Sequence, residues 1–117
     1  MLILILAIIV HALGSGAFFY IEAIQMQQPT FRDVIRYGTK PLVLAILVVV
    51  PFIIYWSGRV FYRYSDHRFW QAILICEVIA SLTLLVCGYL GSKQLPTKYE
   101  IIGLVLVIIA MFVSRLK

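Results

Sequence analysis

Residues 2–24 read LILILAIIVHALGSGAFFYIEAI. An apolar run of this length matches what a helix needs to cross hydrocarbon, about 20 residues with roughly 17–25 tolerated. Only His11 and, near its end, Glu22 interrupt it. A barrel strand would alternate apolar and polar residues, and this run does not. With no water in the bilayer core, a spanning segment must satisfy its backbone N–H and C=O groups within itself, so the run predicts a transmembrane helix. A cleaved signal peptide is the competing reading. No Lys or Arg precedes the run, and it is longer than a signal h-region, so the segment is expected to be retained.

Three further stretches obey the same logic. Pro41–Trp56 is short, but gains length if Val60, Phe61 and Tyr62 lie at the interface. Phe69–Leu90 carries one charge, Glu77, and Tyr99–Ser114 carries one, Glu100, at its start. The last is short for a span and calls for bilayer thinning, snorkelling or close packing around it. The expectation is an all-α integral membrane bundle, a single domain over 1–117, with four transmembrane helices at about 2–24, 41–60, 69–90 and 99–114. Composition agrees: 63% of the 117 residues are hydrophobic and 13% charged, with a mean hydropathy of +1.03. A soluble domain of this size leaves too much of its chain exposed to hide so much apolar surface.

The connections carry the polar residues. Gln27-Gln28-Pro29 ends the first helix, because the residue before proline is pushed out of the helical region. Thr30 then reads as an N-cap with Asp33 near the positive end of a short helix. That helix would put Phe31, Val34 and Ile35 on one face and Arg32, Asp33 and Arg36 on another, as a segment lying on the membrane surface does. An irregular polar loop is the alternative. The second connection, Ser57–Arg68, mixes arginines with aromatics. Trp56, Arg59, Tyr62, Arg63 and Trp70 are the pattern of an interfacial anchoring belt. Such residues also stack on nucleic acid, but no soluble domain accompanies them, and a net charge of +5 fits anionic lipid headgroups, so membrane lipids are the expected partners and nucleic acid is not. The third connection, Gly91–Thr97, is a tight turn between antiparallel helices.

Lys and Arg set orientation by accumulating on the cytoplasmic side. With four spans, Arg59, Arg63, Arg68, Arg115 and Lys117 lie on one side, and Arg32, Arg36, Lys40, Lys93 and Lys98 on the other. Five against five leaves the orientation unbiased, as in a chain of dual topology or one oriented by a partner. Cys76 and Cys87 both fall in the third span, about 16 Å apart along one helix, too far for a disulfide. They read as packing residues, and no metal-ligand set surrounds them.

Two ionisable residues sit deep in the spans, His11 and Glu77. A charge at the bilayer centre costs on the order of 2.5–3.5 kcal/mol on insertion scales, so such residues usually face protein or water. On the third helix Glu77 shares a face with Ala80, Ser81 and Gly88, small residues that let helices approach closely. On the first, His11 shares a face with Gly14 and Ser15. One reading makes Glu77, His11 and Ser15 a substrate or proton site facing one cavity. The other makes the same residues interhelical hydrogen-bond partners, with Gly14, Ala80, Ser81, Gly88 and Gly103 serving packing alone.

Helix one, Ala7-Ile8-Ile9-Val10-His11-Ala12-Leu13-Gly14-Ser15-Gly16 and then Glu22, resembles the first helix of the small multidrug resistance transporters. The turn Gly88-Tyr89-Leu90-Gly91-Ser92-Lys93-Gln94-Leu95 with Ile101-Ile102-Gly103 is similar to the same family and to the wider drug/metabolite transporter superfamily. The resemblance covers helices one, three and four. It implies a four-helix protomer in a bacterial or archaeal cytoplasmic membrane, a dimer, antiparallel or paired with a sister subunit, and an amphiphilic or lipid-linked substrate. The family's helix-one carboxylate falls at His11, which can titrate but offers a cation no negative charge. Either the carboxylate has moved to Glu77 or drug–proton antiport is absent.

Two functions are therefore expected to compete. One is a small secondary transporter or flippase, with its substrate near the midplane between protomers. The other is a non-transporting structural or regulatory subunit of a larger membrane complex. An enzyme is not expected, since no nucleophile–base pair, metal set or phosphate-binding loop is present, and no cofactor is implied.

Overall fold

A computed structural model describes residues 1–116. It is all-helical, with no strand among the described residues. Helix α1 spans Leu2–Met26, α2 Phe31–Gly38, α3 Pro41–Tyr64 and α4 Phe69–Thr83. A π-helical turn, Leu84–Gly88, joins α4 to the short α5, Tyr89–Ser92, and α6 spans Lys98–Val113. Three continuous helices, Leu2–Met26, Pro41–Tyr64 and Phe69–Ser92, are long and apolar enough to cross a membrane. They mark the chain as membrane-embedded. Helix α6, with 16 residues, is about 24 Å long and falls short of a hydrocarbon core of about 30 Å.

Successive long helices run antiparallel. The N-terminal ammonium of Met1 donates to the Tyr64 hydroxyl at 3.0 Å, tying the start of α1 to the end of α3. Gln27 at the other end of α1 donates to the Gly91 carbonyl at 3.1 Å. Gln71, near the start of α4, donates to the Ser114 carbonyl beyond α6 at 3.0 Å. Arg59, Arg63, Arg68 and Arg115 thus lie toward one end of the bundle. Arg32, Arg36, Lys40, Lys93 and Lys98 lie toward the other. Lys117 lies outside the described residues.

Helix α1 is the central element, contacting α3 on one side and α4, the π turn and α5 on the other. Its sequence explains why: Ala7, Gly14, Ser15 and Gly16 are small and buried, and small residues let neighbouring backbones approach in lipid. A Cβ at Gly14 would lie 3.2 Å from Ile53 of α3, and one at Gly16 only 2.9 Å from the Cys87 sulfur. The bundle is 21 Å deep in its thinnest direction, about two helix diameters. Most apolar side chains consequently face outward, and of the few buried ones Ala7, Val60, Phe61 and Ala72 form one cluster with Leu4, Ile75, Cys76 and Ile79 against it.

The π turn has a geometric role. In a straight helix Gly91 would lie about 100° around the axis from the line of Ala72, Ile79 and Thr83. A π turn absorbs one extra residue and rotates the rest of the helix back by about that angle. Gly91 is thereby turned onto α1, where a Cβ would meet Ala23 at 2.8 Å and the Tyr20 carbonyl at 2.9 Å. Lys93, at φ 61°, then ends α5 in the left-handed region.

Several boundaries differ from the sequence expectation. Helix α3 does not stop at residue 60: it continues to Tyr64, so Ser57–Tyr64 is helix and the connection to α4 is only Ser65–Arg68. Pro51 lies inside α3 and is exposed. The segment after Pro29 is the short amphipathic helix rather than an irregular loop. Thr30 caps it by accepting from the Asp33 N–H, and Phe31, Ile35, Arg32 and Arg36 are exposed. Helix α6 starts one residue early, in a capping box in which Thr97 and Glu100 each accept from the other's backbone N–H.

Candidate functional site

The polar residues expected to act together are separated by the fold. His11 is 2% exposed. Its Nδ1 lies 2.7 Å from the hydroxyl of Ser57 on α3, and that hydroxyl lies 3.0 Å from the Ile54 carbonyl. A hydroxyl has one proton. Both contacts are hydrogen bonds only if Ser57 donates to Ile54 and accepts from Nδ1–H of His11; in a neutral imidazole the lone pair is then on Nε2. The imidazole also meets the Phe61 ring edge-on, centroids 5.6 Å apart. Ser15, one turn along α1, is buried on the same face.

Glu77 lies elsewhere. The inner face of α4 is occupied by Ala72, Ile75, Cys76 and Ile79, and Glu77 projects roughly opposite them, exposed and without an ion pair or hydrogen bond among the described residues. The single cavity expected to hold both His11 and Glu77 is not formed within one chain. Helix α1 carries its polar group inward, whereas α4 carries its own outward. Of the small residues near Glu77, Ser81 is buried, and Ala80 and Gly88 are half-buried. A Cβ at Gly88, the last residue of the π turn, would meet only Leu84 of its own helix, at 3.2 Å, and no neighbouring helix. Gly103 on α6 is exposed, with open space where a Cβ would stand. Glu22 is half-buried, and Cys76 and Cys87 are both free thiols.

The anchoring residues gather at one end. Trp56, Arg59, Tyr62, Arg63 and Trp70 are all exposed. Trp56, Arg59, Val60 and Arg63 line an open surface hollow of about 230 Å³ beside the last turns of α3. A second hollow of about 300 Å³, almost wholly apolar, lies between α1 and α3, walled by Leu13, Gly14, Ala45, Val49 and Ile53 among others. Neither is apparent from the sequence. Ser57 escapes the sequence reading as well, because it lies just past the apolar run rather than interrupting it.

The His11–Ser57 pair makes a measurable claim. Alanine at Ser57 leaves a buried N–H without its acceptor. Stability should fall by about 1–2 kcal/mol, since interhelical hydrogen bonds in membranes average about 0.6 kcal/mol and an orphaned buried donor costs about 1–3 kcal/mol. Unfolding in mixed micelles of increasing sodium dodecyl sulfate measures it. A loss under about 0.3 kcal/mol would mean that the pair contributes nothing.

No protein-family model matches the chain, and neither curated proteins nor solved structures show significant similarity to it.

Proposed function

We propose that the chain is the protomer of a small secondary transporter or flippase that works as a dimer on an amphiphilic substrate, with Glu77 at the surface the second protomer covers. The observation that carries this reading is the isolated carboxylate halfway along α4. An ionised side chain facing hydrocarbon is expensive, and such residues mark substrate or ion paths or contacts with another protein. Glu77 has no partner among the described residues, so its partner is sought outside the chain. Helix α6 is taken as a fourth crossing alongside α4, with local thinning of the bilayer at its short length. The five-to-five count of basic residues that four crossings give in the sequence supports insertion in both orientations and an antiparallel dimer, in a bacterial or archaeal cytoplasmic membrane. The resemblance of helices one, three and four to the small multidrug resistance transporters supports the same reading.

A second reading is favoured by His11. Its Nδ1 is matched within the chain by Ser57, so one of the two ionisable residues deep in the spans is already engaged in packing. A subunit that only stabilises a larger membrane complex would present Glu77 and the outward face of α6 to that partner.

Purification in mild detergent separates the two. The transporter reading expects a dimer that carries a lipid or small molecule, and expects Glu77→Gln to lose that molecule while remaining dimeric and helical. Recovery with a large unrelated membrane protein, together with an effect of Glu77→Gln on that assembly alone, would sink it.

A further inference from the structure

One side of α3 carries a continuous strip that changes character along its length. Val49, Ile53, Trp56, Val60 and Arg63 succeed one another at spacings of four and three, which places them in one line along the helix. The first part of this line walls the apolar hollow against Leu13 and Gly14 of α1. The second part lines the open hollow formed by Trp56, Arg59, Val60 and Arg63. The two hollows therefore succeed each other along one helix face, apolar toward the middle of the span and cationic toward its end.

Arg59 and Arg63 stand one turn apart, where like charges repel. Neither forms an ion pair with a described carboxylate. Two unpaired guanidiniums converging on one hollow fit a phosphate, whose oxygens accept from both forks. Trp56, 42% exposed, supplies the amphipathic ring that settles at headgroup level. From Arg59 down to Val49 is about 15 Å at about 1.5 Å per residue. That is half of a hydrocarbon core of about 30 Å, the depth one acyl chain occupies.

We propose that this strip binds one anionic lipid, its phosphate held by Arg59 and Arg63 and one acyl chain lying in the groove between α1 and α3. The phosphate chemistry alone would also admit a free phosphate ion. The apolar groove continuing from the cationic hollow favours a phosphate that carries a tail. The site is built from α1 and α3 within one chain, so it stands whether or not the chain transports anything.

Trp56 reports on the site directly. The chain has two tryptophans, and Trp70→Phe leaves Trp56 as the only one. The full-length variant is placed in phosphatidylcholine vesicles containing increasing fractions of phosphatidylglycerol brominated on its acyl chains. Trp56 should be half-quenched at a lower mole fraction than with brominated phosphatidylcholine, by roughly fivefold for each arginine engaged. Arg59→Gln combined with Arg63→Gln should abolish the preference at unchanged helicity. Inorganic phosphate in large excess should not relieve the quenching. The reciprocal chain, Trp56→Phe, reporting through Trp70, should show no such preference. Equal quenching by the two lipids, or an equal preference at Trp70, would reduce the strip to a basic surface in contact with bulk lipid and overturn the proposal. Relief by inorganic phosphate would overturn its lipid half. If the double variant does not fold, the comparison of Trp56 with Trp70 still decides.

Discussion

One methyl group added at Gly91 is expected to destabilise the bundle by about 1–3 kcal/mol, the usual cost of forcing volume into a packed contact. The reason is the pair of groups the methyl would meet. Its nearest neighbours would be the Ala23 Cβ at 2.8 Å and the Tyr20 carbonyl oxygen at 2.9 Å. Neither can rotate aside, so α5 and α1 would have to separate, straining the Gln27 hydrogen bond to the Gly91 carbonyl. Gly16 offers the useful contrast: a Cβ there comes as close, 2.9 Å, but to the Cys87 sulfur, which can turn about its χ1. Gly16→Ala should therefore cost less than Gly91→Ala. Gly103→Ala meets nothing and should be neutral or stabilising, because glycine in a helix interior is up to about 1 kcal/mol worse than alanine. The order Gly91, Gly16, Gly103 is read from unfolding midpoints in sodium dodecyl sulfate. Gly91→Ala within about 0.5 kcal/mol of the parent, the range of an ordinary surface change, would show that α5 does not rest on α1.

That ranking is hidden from the sequence for a specific reason. Spacing arguments assume one turn length from end to end, and the π turn at Leu84–Gly88 changes the phase of every later residue in the helix. Gly88, in line with Glu77, Ala80 and Ser81 by simple spacing, is displaced from it. Gly91, which reads only as part of a turn, becomes the closest contact with α1. The legible feature is the one that depends on length and solvent alone: three runs too apolar for water are three long helices. Helix ends are less so. Arg59 and Arg63 end the apolar run of the second segment but not its helix, because long basic side chains can reach the interface from within it. Nothing stops α3 before Ser65 and the left-handed Asp66 and His67. Ser57 therefore sits inside a helix, opposite His11, and the partner of the buried histidine lies just past the last residue of the apolar stretch. Glu77 illustrates a different difficulty. Polar residues in spans tend to point inward, but helical spacing places Glu77 roughly opposite Ala72 and Ile79, and the apolar side of α4 has the better claim on the core.

The outward carboxylate gives the second large expectation: Glu77→Leu should weaken self-association of the chain by about tenfold or more. In the proposed dimer the interface is shared by two copies, so one substitution removes the contact twice. Interhelical polar contacts in membranes average about 0.6 kcal/mol and reach about 1.7 kcal/mol. Doubled, that is about 1.2–3.4 kcal/mol, or roughly 8-fold to 300-fold in the association constant. Leucine keeps the side chain's bulk and helix propensity, so the fold of each protomer should survive, and the Ser57–His11 pair on the far side of α4 should be untouched. Energy transfer between donor- and acceptor-labelled chains, diluted in detergent, gives the constant for parent and variant. The direction of the change is the discriminating feature. Were Glu77 merely facing lipid, leucine would relieve an unfavourable exposure in monomer and dimer alike, and association would not move. Were it pressed against an apolar patch of the partner, leucine would tighten the dimer. Only a carboxylate with a polar partner across the interface predicts the loss, and either of the other results removes Glu77 from the proposed contact.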